Sequence, residues 1–310
     1  MRSNMSGIGG SLTALATPFR DGQVDREALY RLCQRQIERG TAALISCGST
    51  GEAASLSTAE YSDVVRATVD AADRRVPVIA GCCGSSTAAA VALGVAAAAA
   101  GVDALLCAPT PYVKPTQEGI VAHIRAIAHA TSLPIVIYDV PGRSGVAIAD
   151  DTVVQLHQNE LIVGIKDATA DLSRPPRLRA LCGDGLMQWS GDDATAAAHR
   201  AMGGFGCISV TANVAPRLCA LMHHAWDNGD LGRFAALRDL LDPLHAALFA
   251  ESNPIPLKAA LQAIGLCSSE VRLPLTRATP RTQERLLKLL ERIMIAEEHA
   301  AHGPPYALAS

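Results

Sequence analysis

A strand–helix alternation repeated eight times is what most limits the folds open to this chain. Short apolar runs read as strands at residues 11–17, 43–47, 76–80, 103–107, 134–138, 161–166, 186–190 and 206–210. Each is followed by a helical stretch: 25–39, 58–73, 87–100, 116–131, 149–157, 172–181, 193–202 and 216–226. Asp25 and Thr58 are placed to cap the first two, and Pro175 and Pro176 confine the regular part of the sixth to the residues after them. Strands joined through helices pair in parallel, and eight such units close into an α/β (β/α)8 TIM barrel. A doubly wound open sheet normally has fewer strands. It would also want a Gly-x-Gly-x-x-Gly turn after the first strand, whereas Gly9-Gly10 precede it. Beyond Asn228 the pattern becomes purely helical, at 231–250, 256–264 and 281–299. The expected organisation is a catalytic barrel over 9–228, a C-terminal helical region over 229–298 and a loose tail over 299–310.

Composition excludes several classes. A formal charge of −3 gives no footprint for nucleic acid or an anionic membrane surface. The apolar run around 96–100 is broken by Gly101 and Asp103, so no membrane span is expected, and residues 12–16 are too short for a signal-peptide core. Nine cysteines without a Cys-x-x-Cys pair read as reduced thiols of a cytoplasmic protein. His223-His224 and His299-x-x-His302 lack metal-site spacing, so no metal is expected. Neither a phosphate loop nor Gly-x-Ser-x-Gly occurs.

The chemistry centres on Lys166, which closes the apolar run 161–166. Burial disfavours an unpaired ammonium, and a neutral amine is a nucleophile. A lysine here either reaches solvent, pairs with Asp167, or attacks a substrate. A barrel builds its active site at the C-terminal ends of its strands. Those ends carry the Gly48-Ser49-Thr50-Gly51-Glu52 turn, whose N–H groups suit a carboxylate. They also carry Tyr112, Tyr138 and Arg143, the last with a guanidinium that matches a carboxylate. Taken singly, each reads equally as an ordinary turn, a core-edge tyrosine or a solvated arginine. Taken together they describe a keto-acid site: Lys166 attacks the carbonyl, hydroxyls move protons, and N–H groups with Arg143 hold carboxylates. Asp167 is disfavoured as the partner of Lys166, because consecutive strand residues face opposite ways. Val163 and Ile165 are expected to wall the amine.

These motifs resemble the class I aldolase-like barrels of the dihydrodipicolinate synthase / N-acetylneuraminate lyase family. The likeness runs from about Gly9 to about Leu290 and rests on the Gly48–Glu52 turn, Tyr138-Asp139-Val140-Pro141-Gly142-Arg143-Ser144-Gly145 and Gly164-Ile165-Lys166-Asp167-Ala168-Thr169. Gly206-Cys207-Ile208-Ser209-Val210, Asn253-Pro254-Ile255-Pro256-Leu257-Lys258 and Arg272-Leu273-Pro274-Leu275 extend it. Arg143 marks the synthase branch. The resemblance implies a cofactor-free lyase in lysine (diaminopimelate) biosynthesis that condenses pyruvate with aspartate 4-semialdehyde. Lys166 would carry the Schiff base, and Gly48, Ser49 and Thr50 would hold pyruvate's carboxylate. Tyr138, Ser49 and Tyr112 would relay protons, Arg143 would take the second carboxylate, and the Ile208 carbonyl would line the site. It also implies a homotetramer of two tight dimers, with Tyr112 supplied across an interface. Ser49 stands where the synthase branch usually has threonine. Thr58, Tyr61, Ala89 and Pro111 replace the residues of lysine-inhibited relatives, so feedback by lysine is expected to be weak or absent. Two other readings stay open: a pyruvate-dependent aldolase or dehydratase for a sugar acid or other keto acid, and a non-catalytic keto-acid binder.

Overall fold

In the computed structural model, which describes residues 7–302, eight parallel strands close into a barrel. They are β1 (Gly10–Ala14), β2 (Ala43–Ser46), β3 (Val78–Gly81), β4 (Ala104–Cys107), β5 (Ile135–Asp139), β6 (Gly164–Asp167), β7 (Met187–Ser190) and β8 (Gly206–Ser209). Strand neighbours follow chain order, and β8 pairs with β1 to complete the ring. The helices between and after them are α1 (Arg26–Glu38), α2 (Thr58–Ala72), α3 (Thr87–Ala100), α4 (Gln117–Thr131), α5 (Asp150–Gln158), α6 (Arg174–Cys182), α7 (Ala196–Ala201) and α8 (Pro216–Asp227). Three more complete the chain: α9 (Leu231–Leu248), α10 (Ile255–Ala263) and α11 (Pro280–His302). None of the helices among the described residues is long and apolar enough to cross a membrane.

Local chemistry sets the helix starts. Asp25 caps α1 as expected, its carboxylate accepting from the Ala28 N–H at 2.9 Å. For α2 the cap is Ser57 rather than Thr58. Ser57 and Glu60 form a reciprocal capping box, which satisfies two backbone donors where Thr58 would satisfy one. Differences elsewhere are small and have local causes. β6 begins only at Gly164: Val163 still bonds the first residues of both neighbouring strands, its N–H donating to the Ile135 carbonyl and its carbonyl accepting from the Met187 N–H, while 161–162 lead in ahead of it. The Pro-Gly-Arg-Ser turn is one turn of helix, Pro141–Ser144, because proline suits a first helical position. The helix α11 continues four residues into the segment expected to be a tail; residues 303–310 lie outside the described part. A short hairpin pairing Phe19–Arg20 with Gln23–Val24 was not foreseen, since two-residue strands carry no periodicity.

The core has three parts. Alternate residues of the strands, such as Ala43 and Ile45, Val136 and Tyr138, and Trp189, fill the barrel interior. The other set, including Leu44, Leu105, Ile137 and Ile165, packs outward beneath α1 to α6. A third cluster joins the α8 face to α9, α10 and α11. There Glu297 of α11, fully buried, accepts from the first-turn N–H groups of Arg217 and Leu218 at 2.8 and 2.9 Å. That is the favourable place for a carboxylate near a helix N-terminus, and it ties the helical region to the barrel.

Candidate active site

Lys166 and Tyr138 are penultimate in β6 and β5 and sit opposite each other in register. Both point into the barrel mouth, and Lys166 is 4% exposed. Its Nζ lies 4.2 Å from the centroid of the Tyr138 ring. Among the described residues no carboxylate forms an ion pair with it. Its neighbours include the thiols of Cys83 and Cys207. Burial pushes Cys83 up to about 11 and Cys207 well above the ordinary thiol value, so both stay protonated at neutral pH. Asp167 points the other way and pairs with Arg174, as strand alternation requires. The same alternation corrects the expected wall of the amine. Ile165 belongs to the outward layer, whereas Val163, just before the strand, packs against the interior cluster that includes Tyr138.

Gly48 to Glu52 form the turn after β2. It is entered and left by residues with positive φ, Cys47 at 52° and Glu52 at 51°. Gly81 permits this path: a Cβ there would fall 2.1 Å from the Cys47 carbonyl oxygen. The N–H groups of Gly51, Glu52 and Ala53 are used within the turn. Those of Ser49 and Thr50 find no acceptor among the described residues, which leaves two adjacent donors for an anion. Asn253 braces the turn, donating from Nδ2 to Thr50 Oγ1 at 3.0 Å, and its carbonyl accepts from Arg143 Nη2 at 3.2 Å. Ser49 and Arg143 thereby line one cavity of about 350 Å³, together with Asn253, Arg272 and Leu273. Ile208 is buried in the barrel interior on β8.

Tyr112 is the predicted site residue that the single chain does not bring in. It is 95% exposed, at positive φ, on the loop after β4, and no hydrogen bond joins it to Tyr138 or Ser49. Three contributors were missed from sequence. Asp193 accepts from the N–H groups of Val210 and Thr211 and from Ser209, fixing the turn after β8. Gly191 passes close against Lys166. Glu52 and Lys258 form a fully buried ion pair at 2.6 Å beneath the Gly48–Glu52 turn. Only the last left a signal, a lysine at the end of an apolar helix-forming motif. Among the described residues no cluster could hold a metal ion.

A family model described as the dihydrodipicolinate synthetase family matches residues 7–293. The 4-hydroxy-tetrahydrodipicolinate synthase of Rhodospirillum centenum is 49% identical over 275 residues, covering 89% of this chain and 94% of that one. A monomeric dihydrodipicolinate synthase variant superposes with a TM-score of 0.91 at 36% identity, covering 94% of this chain and 99% of that one. The Acinetobacter baumannii dihydrodipicolinate synthase complexed with pyruvate gives 0.90 at 41% identity, covering 93% and 99%.

Proposed function

The chain belongs to the dihydrodipicolinate synthetase family, and on that premise we propose how its residues divide the reaction. It is a lyase that condenses pyruvate with aspartate 4-semialdehyde to 4-hydroxytetrahydrodipicolinate on the route to lysine. Lys166 Nζ attacks the keto carbon of pyruvate and expels water to leave an imine. The Ser49 and Thr50 N–H groups hold the carboxylate, with Gly48 giving the backbone room to approach. Loss of a methyl proton then gives an enamine, whose carbon adds to the aldehyde of the second substrate. Tyr138, with Ser49 and a neighbouring subunit's copy of Tyr112, carries protons to and from the reacting oxygen. Arg143 takes the second carboxylate, the Ile208 carbonyl lines the pyruvate side, and the substrate's own amine closes the ring and releases Lys166. The imine is itself the electron sink, so the scheme calls on no bound cofactor.

The observation that carries this reading is a buried lysine, with no carboxylate partner among the described residues, stacked on a tyrosine at the end of a barrel strand. Trapping with pyruvate and borohydride tests it: the adduct should map to Lys166. A protein left unlabelled there, or labelled elsewhere, rules the assignment out. Tyr138→Phe should lower kcat by about 10²- to 10⁴-fold, the range for a proton-transferring side chain.

We extend the proposal to a cytoplasmic homotetramer in which Tyr112 completes the neighbouring site, supported by its exposure and strained backbone. Mixing Lys166→Ala and Tyr112→Phe subunits should restore activity that neither variant has alone. Mixed subunits as inactive as the separate variants would contradict the exchange.

A further inference from the structure

The residues directly after Tyr138 and Lys166 are both aspartates. Asp139 and Asp167 close β5 and β6 and face each other in register, on the outward side of the barrel. Both are buried, Asp139 completely. Like charges directly opposite on neighbouring strands repel, and the repulsion grows as water is excluded.

One guanidinium lies between them. Arg174, first residue of α6 and 3% exposed, donates from Nη1 to Asp139 Oδ2 at 2.6 Å and to Asp167 Oδ2 at 3.2 Å. Its Nε donates to Asp150 at 2.8 Å and its Nη2 to the Ile148 carbonyl at 2.6 Å. Asp139 Oδ2 also accepts from the Ile148 N–H at 3.2 Å, so the segment that carries Arg143 is anchored to the same point. Asp167 Oδ1 is taken by the N–H and hydroxyl of Thr169. Burial raises the Asp139 carboxyl above its ordinary value, Asp167 adds to the rise, and Arg174 opposes it.

We propose that Arg174 is a positioning residue for imine formation: by bridging Asp139 and Asp167 it fixes the spacing of the β5 and β6 ends, and so the stacking of Lys166 on Tyr138. Each bridged aspartate is one peptide from the reacting side chain, and strand alternation puts the bridge outside and the chemistry inside. A change of spacing at the outer pair passes directly to the inner one. The proposal rests on Lys166 as the imine-forming lysine.

The test is the single-turnover rate of pyruvate trapping by borohydride, without the second substrate, measured beside thermal unfolding. Arg174→Met should slow trapping by about 100-fold, the scale expected of a small misplacement of reacting groups, with the pyruvate KM within about threefold of wild type. Arg174→Lys keeps the charge without the fork, and should be about tenfold slower than wild type. Adding Asp139→Asn to Arg174→Met removes the repulsion and should recover about tenfold. A folded Arg174→Met with the wild-type rate overturns the proposal. So does a slow variant that Asp139→Asn fails to rescue. If Arg174→Met does not fold, Arg174→Lys decides, and a wild-type rate in it overturns the proposal equally. Absence of an adduct on Lys166 in the wild type would instead overturn the assignment of the nucleophile.

Discussion

At the scale of single residues, the reactivity of Lys166 depends on what is kept away from it. Its neighbours are a phenol and protonated thiols, and its adjacent carboxylate faces the other side of the sheet. Space around the side chain is equally constrained. A Cβ on Gly191 would lie 2.9 Å from the Ala168 Cβ, 3.1 Å from the Lys166 Cε and 3.2 Å from the Asp167 carbonyl carbon. The Gly191 N–H also donates to the Asp167 carbonyl at 2.6 Å, so the backbone cannot simply move off. Gly191→Ala should therefore displace the amine. The expected result is a kcat at least about tenfold lower, with a stability cost of about 1–3 kcal/mol, read by steady-state kinetics and urea unfolding. Unchanged turnover would mean that the loop after β7 yields instead of Lys166.

Among the elements, the turn after β2 is held from beneath. Lys258 of α10 meets Glu52 at 2.6 Å, donates to the Glu270 carbonyl and lies 4.0 Å from the Phe19 ring centroid. Burial draws the Lys258 amine down while Glu52 opposes it. Glu52 Oε2 accepts from the Arg272 N–H, which brings the segment at the cavity mouth onto the same carboxylate. Lys258→Met would leave buried Glu52 without its counter-charge, at a cost of about 3–5 kcal/mol, and should raise the pyruvate KM as the turn that carries the Ser49 and Thr50 donors loses its support. The double variant with Glu52→Gln should regain most of the stability; equilibrium unfolding of the three proteins checks this. The helix α2 carries a second consequence. Tyr61, one of the positions that departs from lysine-inhibited relatives, is 1% exposed and donates to the Gly81 carbonyl at 2.9 Å. It is committed to the core, and Ala89 offers no polar side chain. Turnover should be unchanged at millimolar lysine, and clear inhibition in a dose–response series would contradict the expectation.

For the molecule as a whole, buried histidines set the acid limit. Burial lowers His123 and His199, and it lowers His223 to about 3, with Arg200 and His199 adding to the effect. These groups are neutral in the folded chain and take up protons near pH 6.5 once unfolded. The unfolded state then binds more protons, so stability is full above about pH 6.5 and falls as the pH drops toward the folded values. For His223 alone the slope approaches about 1.4 kcal/mol per pH unit below that point. Urea midpoints measured from pH 7.5 to 5 should decline on this schedule, and His223→Gln should show a shallower decline. A flat profile in the wild type would mean that these imidazoles are protonated in the fold.

Hydrophobic period and strand count determined the barrel from sequence alone, because eight short apolar runs joined through helices have few other ways to bury both faces of a parallel sheet. The residue set at its mouth was legible for the same reason: strand ends are adjacent in sequence to the residues they present. Alternation along β6 was enough to separate Lys166 from Asp167. Contacts between residues distant in the chain were not legible. The Glu52–Lys258 pair, the Asn253 brace on Thr50 and the Arg174 bridge join positions from different elements, and no local pattern encodes which side chains meet. Ile165 was misplaced although the same alternation covers it: like Asp167 it is one residue from Lys166 and so faces outward, whatever its apolar character suggests. Sequence thus determined which groups stand on the rim. Tertiary structure decided which of them touch, because closing the barrel brings β5 against β6 and seats the C-terminal helices beneath the turn after β2.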